Sequence, residues 1–122
     1  MGAIDTIATD AGTKALQAMW ERANVISNNI ANSDTPGYTQ ETVDFESQLQ
    51  SALSDNTLTA TELSSVNPVV QQVSGIYGAD SNGVDMEQQM VELARNQLQY
   101  SYLERGVSDN LGLLMTAAKG GK

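Results

Sequence analysis

Apolar side chains recur at helical spacing along two stretches of the chain and thin out between them. Leu16, Met19, Ala23, Ile26 and Ile30 follow one another at intervals of three, four, three and four. That spacing places them on one stripe of an α-helix with polar residues elsewhere. It predicts a helix over residues 13–32, roughly 30 Å long at about 1.5 Å per residue. Ile4, Ile7, Ala8 and Ala11 could extend it backwards, but Thr9 and Gly12 weaken the stripe. Residues 1–10 are therefore expected to be frayed. Near the other end, Met86, Met90, Leu93, Gln97, Tyr100, Glu104, Val107, Leu111, Leu114 and Ala118 alternate at four and three. Val91, Ala94, Leu98 and Met115 widen that stripe. Asp85 with Gln88 three residues on has the spacing of a capping box, and Glu87 lies at the positive end of the helix dipole. The expected helix runs over 85–118, about 50 Å. Gln97 and Glu104 on the stripe, and Gly106 inside it, are its weak points. Lys119-Gly120-Gly121-Lys122 reads as a helix stop with positive charge at the negative dipole end.

Between the helices the pattern changes at Asn28-Asn29-Ile30-Ala31-Asn32-Ser33-Asp34-Thr35-Pro36-Gly37-Tyr38. Asn32 or Ser33 can end the first helix by bonding to local backbone. Pro36 has no N–H and drives Thr35 out of the helical region. Thr35-Pro36-Gly37-Tyr38 fits a type II turn, with glycine where a positive φ is needed. Asn24, Asn28 and Asn32 lie four apart on one flank of the helix. They are either solvated or buried across a helix–helix contact, where a buried amide can fix register. After the turn, Val43 and Phe45 share one face of a possible strand. A helical piece over 46–53 follows, with Leu49 and Leu53 four apart. Residues 54–83 are polar, with brief apolar runs at Pro68-Val69-Val70, Val73 and Ile76-Tyr77, and read as a partly mobile loop with one or two short strands. Ser81-Asn82-Gly83 reads as a turn.

The expected fold class is therefore mainly α. Long N- and C-terminal amphipathic helices pack as a coiled-coil-like pair, antiparallel or parallel, around a polar, partly disordered middle with short β elements. Three segments form one structural unit: 1–38 (helix and turn), 39–83 (middle) and 84–122 (second helix).

Composition narrows the function. The chain has 122 residues, 40% of them apolar, with one Trp, one Phe and four Tyr. That is thin for a compact core and suits a protein that buries surface against copies or partners. Fifteen acidic residues against six basic give a formal charge of −9. Such a surface repels phosphate backbones and anionic membranes, so no nucleic-acid partner is expected. The chain contains neither His nor Cys. That removes the commonest acid–base residue, the commonest metal ligand and any disulfide framework. Asp80-Ser81-Asn82-Gly83 has the look of a calcium loop. With Gly83 at the sixth position, however, Gly78 and Gln89 occupy the first and last, where carboxylates are required. Carboxylate pairs such as Asp34/Glu41 and Asp80/Asp85 have no nucleophile, metal set or phosphate loop around them. No enzyme, cofactor, metal or small-molecule substrate is expected. No run approaches the roughly 18 apolar residues of a membrane span, and Met1-Gly2-Ala3-Ile4-Asp5-Thr6 lacks the basic and apolar regions of a cleaved signal.

Asn28-Asn29-Ile30-Ala31-Asn32 followed by Asp34-Thr35-Pro36-Gly37-Tyr38 resembles the N-terminal signature of bacterial flagellar axial proteins: rod, hook and hook-associated subunits. Gly83-Val84-Asp85-Met86-Glu87 and Met90-Val91-Glu92-Leu93-Ala94-Arg95-Asn96-Gln97-Leu98-Gln99-Tyr100 resemble the C-terminal signature of the basal-body rod proteins among them. About half the chain carries the match, in the expected order. The middle, 46–81, does not resemble the family.

The resemblance implies a structural subunit of the proximal rod in the periplasmic basal body. Such subunits are exported without a cleaved signal by the flagellar type III apparatus. They assemble helically through their terminal helices into the export-channel wall and transmit torque. The implied partners are other rod subunits, the rod/inner-membrane-ring adaptor and the export apparatus. The implied assembly motif is Asn28, Asn29, Ile30, Ala31, Asn32, Asp34, Thr35, Pro36, Gly37 and Tyr38. The helix seam comprises Leu16, Met19, Ala23 and Ile26 against Met90, Leu93, Leu98, Val107, Leu111 and Leu114. The alternative is a secreted α-helical coiled-coil interaction module, which would not need the NNIAN and TPGY strings.

Overall fold

The computed structural model describes residues 3–53, 60–73 and 83–120, with side chains over 8–52, 62–73 and 83–109. Helix α1 spans Ala3–Ala31, strand β1 Glu41–Asp44, helix α2 Glu46–Leu53, helix α3 Ala60–Ser64, strand β2 Val69–Gln72 and helix α4 Met86–Gly120. The described part is mainly helical, with two long terminal helices packed together and a small sheet between them in sequence. The turn at 81–83, the apolar pair Ile76-Tyr77 and the terminal Gly121-Lys122 fall wholly or partly outside the described residues.

The terminal helices run antiparallel, which the sequence left open. Near one end Gly12 meets Val107, midway Asn96 bonds to Met19, and at the other end Asn29 bonds to Gln89. Helix α1 begins ten residues before the expected start. Gly12, which weakens the stripe in sequence, lies in close contact with α4 at Val107. A Cβ built there would lie 2.5 Å from Val107 Cγ2. Only glycine permits that approach, so a poor helix former is retained for packing.

The α4 face turned towards α1 is offset from the expected stripe at alternate positions. Leu93, Tyr100 and Val107 are partly buried as expected, but the intervening buried positions are Gln89 and Asn96. Met90 and Leu98, expected on the seam, are 61% and 71% exposed, and Gln97 and Glu104 are exposed too. Two amides with hydrogen-bond partners have displaced an apolar residue from the interface.

The core lies where the middle segment folds onto α1. Ala18, Phe45 and Val66 are buried together, with Ala15, Leu49 and Ala52 against them. Val43 and Phe45 are both buried, as their shared face predicts. β1 pairs antiparallel with β2 in the register Glu41↔Gln72 to Asp44↔Val69. Asp44 accepts from the Ser47 N–H at 3.2 Å and so caps α2. Helix α3 has no apolar periodicity to announce it. Lys14 holds its C-terminal end, donating from Nζ to Ser64 O at 3.0 Å, Val66 O at 3.1 Å and Asn67 Oδ1 at 3.3 Å. A cation is favourable there, because the last carbonyls of a helix lack partners and carry negative charge. Arg22 makes a second tie. Its guanidinium grips Glu46 with both nitrogens, at 2.8 and 2.6 Å, and also donates to Val43 O at 2.9 Å.

Candidate assembly motif and helix seam

The motif begins at the end of α1. Asn32 N–H still reaches back to Asn28 O and Asn29 O. The Asn32 side chain then bonds to Asn28 O at 2.8 Å, and Thr35 Oγ1 donates to Asn32 Oδ1 at 3.1 Å. Asn32 thus terminates the helix by competing for its backbone acceptors. The chain turns at Thr35-Pro36-Gly37-Tyr38. Tyr38 N–H donates to Thr35 O at 3.2 Å, and Gly37 has a φ of 75°. These are the features the sequence predicts for a type II turn. A side chain at Gly37 would find open space but an unfavourable backbone.

The turn returns the chain across α1, and Asn29 receives it. Asn29 is fully buried, 0% exposed. Its Nδ2 donates to Glu41 O and to Gln89 Oε1, both at 2.7 Å. Its Oδ1 accepts from Glu41 N–H at 3.0 Å and from the Tyr38 hydroxyl at 3.1 Å. The side-chain amide therefore occupies the place of a neighbouring strand, pairing with both backbone groups of Glu41. The carbonyl has both lone pairs used and the NH2 both hydrogens. One residue thereby joins α1, β1, the turn and α4.

Of the four asparagines, then, the one on the helix–helix interface is Asn29. Asn24 and Asn28 are exposed and Asn32 is half-buried, so of the two alternatives for this row the solvated one fits and the row does not form the contact. Asn28 instead donates from Nδ2 to the Tyr38 hydroxyl at 3.2 Å. That bond lowers the Tyr38 pKa, but burial, aided by the charge on Glu41, raises it further, and the net shift is upward.

A second buried amide, Gln40, joins the start of α4 to the strands. Its Oε1 accepts from Asp85 N–H at 3.1 Å, its backbone N–H donates to Gly83 O at 3.2 Å, and its carbonyl accepts from Val73 N–H at 2.8 Å. Asp85 caps α4 as expected, accepting from Gln88 N–H at 3.2 Å. The reciprocal half of the box comes from Gln40, 45 residues away, rather than from Gln88. Further along, Asn96 is 3% exposed and donates to Met19 O at 2.8 Å. Gln40, Gln89 and Asn96 lie outside the predicted site. A signal for Gln89 and Asn96 is their place on one line of α4 with Leu93, Tyr100 and Val107, at alternating spacings of four and three.

The remaining predicted residues are placed as follows. Ile26 is buried. Leu16, Met19, Ala23 and Ile30 are partly buried along α1, and Leu93 and Val107 along α4. Ala31, Asp34, Thr35, Pro36 and Gly37 are exposed. Leu111 and Leu114 lie in the α4 backbone, with side chains outside the described residues. The chemistry of the motif is hydrogen bonding among amides, one phenol and backbone groups. It fixes where one helix ends and where the next begins.

The family described as "Flagella basal body rod protein" matches residues 10–39, from the Gly12 crossing through the turn. A "Flagellar basal body rod protein FlgB" of Bacillus subtilis (strain 168) is 32% identical over 109 residues, covering 83% of this chain and 84% of the relative. The protein of the same name from Aeromonas hydrophila is 31% identical over 116 residues, covering 87% and 88%. That from Escherichia coli (strain K12) is 27% identical over 124 residues, covering 88% and 90%. The similarity thus spans both terminal helices and the middle that joins them, and the chain belongs to the flagellar basal-body rod protein family.

Proposed function

We propose that this chain is a structural subunit of the proximal rod, which assembles helically through its terminal helices to form the export-channel wall and transmit torque. The observation that carries the proposal is the α1–α4 pair. It is fastened along its length by Gly12/Val107, Met19/Asn96 and Asn29/Gln89, yet Trp20, Met90, Val91, Leu98 and Tyr102 stay exposed on its outside. A helical pair with apolar side chains on its outer surface is suited to burying them against other subunits. Where such a contact is heterologous and its rotation does not close, a helical assembly results.

Within that role the motif from Asn28 to Tyr38 sets the angle at which the chain leaves α1, and with it how the exposed Asp34-Thr35-Pro36-Gly37 tip meets the adjoining layer. The partners are other rod subunits, the rod/inner-membrane-ring adaptor and the flagellar type III export apparatus. The location is the periplasmic rod.

The test is deletion of the chain's gene, with plasmid rescue, read by motility and by electron microscopy of basal bodies. Loss of swimming, with rods missing above the inner-membrane ring and restored by the plasmid, is the expected result. Complete rods in swimming deletion cells would refute the proposal.

A further inference from the structure

Two apolar surfaces are used by neither the core nor the motif, and they face different ways. The first surrounds Trp20, the chain's one tryptophan, which is 65% exposed. The indole stands between two open hollows of about 610 and 440 Å³ along the α1–α4 seam, both bordered by Tyr100. Leu16 and Glu21 also line one, with the polar Thr13 and Gln17, and Met19, Ala23 and Asn96 the other, with Gln97 and Ser101. Asn96 Oδ1 is buried and has no hydrogen-bond partner. A native side chain rarely carries such an orphan acceptor without a reason.

The second surface is the outer side of α4. Val91, Leu98 and Tyr102, at spacings of seven and four, fall along one line of the helix. Tyr102, at 85%, is the most exposed of the large apolar residues among the described residues. The line runs on the opposite side of α4 from Leu93, Tyr100 and Val107, which face α1. Arg95 and Arg105 flank it, two of only six basic residues in a chain of net charge −9, and Asp109 continues its line one heptad beyond Tyr102. The contact of Arg95 with Glu92, at 3.3 Å, is an exposed i,i+3 pair and holds the guanidinium weakly.

We propose that the outer stripe of α4 in one copy of this chain seats in the Trp20 hollow of the next copy, head to tail. This rests on the assembly role above and names the surfaces that meet. Charge selects the occupant. Two copies at −9 repel each other over most of their surfaces, and the stripe presents Arg95 and Arg105 to a hollow rimmed by Glu21. Leu98 and Tyr102 cover the indole. Because stripe and hollow lie on different sides of the helical pair, each bound copy leaves one of each free, and the contact propagates.

The experiment uses full-length chains followed by sedimentation and by Trp20 fluorescence, over about 1 μM to about 1 mM. Trp20→Lys spoils the hollow, and Leu98→Asp with Tyr102→Asp spoils the stripe. All three positions are exposed, and circular dichroism checks that the variants remain folded. Wild-type chain is expected to associate with concentration, with a blue shift of Trp20 emission and loss of iodide quenching. Each variant alone stays monomeric. An equimolar mixture has one intact hollow and one intact stripe, so it forms a dimer and stops there, its single Trp20 shielded. Wild-type chain that stays monomeric with Trp20 quenchable throughout overturns the proposal. So does a mixture that stays monomeric under conditions where wild type associates, or a variant that associates as wild type does. A deletion strain that lacks rods while the mixture fails would leave the rod function standing and remove only this pairing.

Discussion

Replacing Asn29 by alanine removes one amide and breaks four hydrogen bonds at once. Glu41 loses its partner for N–H and for C=O, Gln89 Oε1 loses its donor, and the Tyr38 hydroxyl loses its acceptor. A protein hydrogen bond contributes about 0.5–1.5 kcal/mol net, and a buried group left unpaired costs about 1–3 kcal/mol. Tyr38 and Glu41 are only partly buried and can recruit water. Gln89 is 4% exposed and cannot do so readily. One fully orphaned acceptor plus the loss of the more exposed bonds gives a destabilisation of about 2–4 kcal/mol. That is a large part of the roughly 5–15 kcal/mol that holds a domain folded. Asn28→Ala is the control, one residue away. Asn28 is exposed, its amide makes the 3.2 Å bond to Tyr38, and its loss should cost under about 1 kcal/mol. Urea unfolding followed by circular dichroism at the helix band measures both. Equal midpoints for the two variants, at equal slope, would refute the assignment of Asn29 as the junction of α1, β1 and α4.

Four further outcomes follow from the packing and electrostatics. Gly12→Ala forces a Cβ to 2.5 Å from Val107 Cγ2, a β-branched methyl with little room to rotate. The cost of overpacking, about 1–3 kcal/mol, should outweigh the gain in helix propensity of about 1 kcal/mol and be relieved by adding Val107→Ala. Gly106→Ala meets nothing within 4 Å and should instead raise the thermal midpoint. Glu46 has its pKa lowered first by the hydrogen bond from Arg22. Its stabilising contribution is therefore complete above the unfolded carboxylate pKa, near 4.3, and is lost as pH falls through the lower folded value. Glu46→Gln should flatten stability against pH in that acid window and leave the neutral-to-alkaline profile unchanged, as read by denaturation at a series of pH values. Lys14→Ala unties α1 from the end of α3 and should speed hydrogen exchange around Leu63–Val66 while Asn29 and Gln89 remain protected.

Much of the architecture was legible because it depends on neighbours in sequence. Helical periodicity located both terminal helices, Pro36-Gly37 located the turn, Asp85 marked the start of α4, and alternation put Val43 and Phe45 on one face. Each signal works through backbone geometry within a few residues. The choice among amides was not legible in the same way. Asn24, Asn28, Asn29 and Asn32 are chemically equivalent in the sequence, and burial favours the one whose donors and acceptors find partners. For Asn29 those partners sit 9, 12 and 60 positions away. By hydrophobicity alone Met90 outranks Gln89 and Leu98 outranks Asn96 for the seam, and the fold chose the amides because their bonds to α1 offset burial. Lys14 at the end of α3 and Gln40 at the start of α4 likewise act across 50 and 45 positions. The sequence by itself determined that there are two amphipathic helices joined by a stop and a tight turn, since local spacing and backbone restrictions specify these. The tertiary structure decided that the helices run antiparallel, that Gly12 meets Val107 in close contact, and which polar side chains enter the interface. Those outcomes depend on pairing groups far apart in the chain, which local spacing alone does not specify.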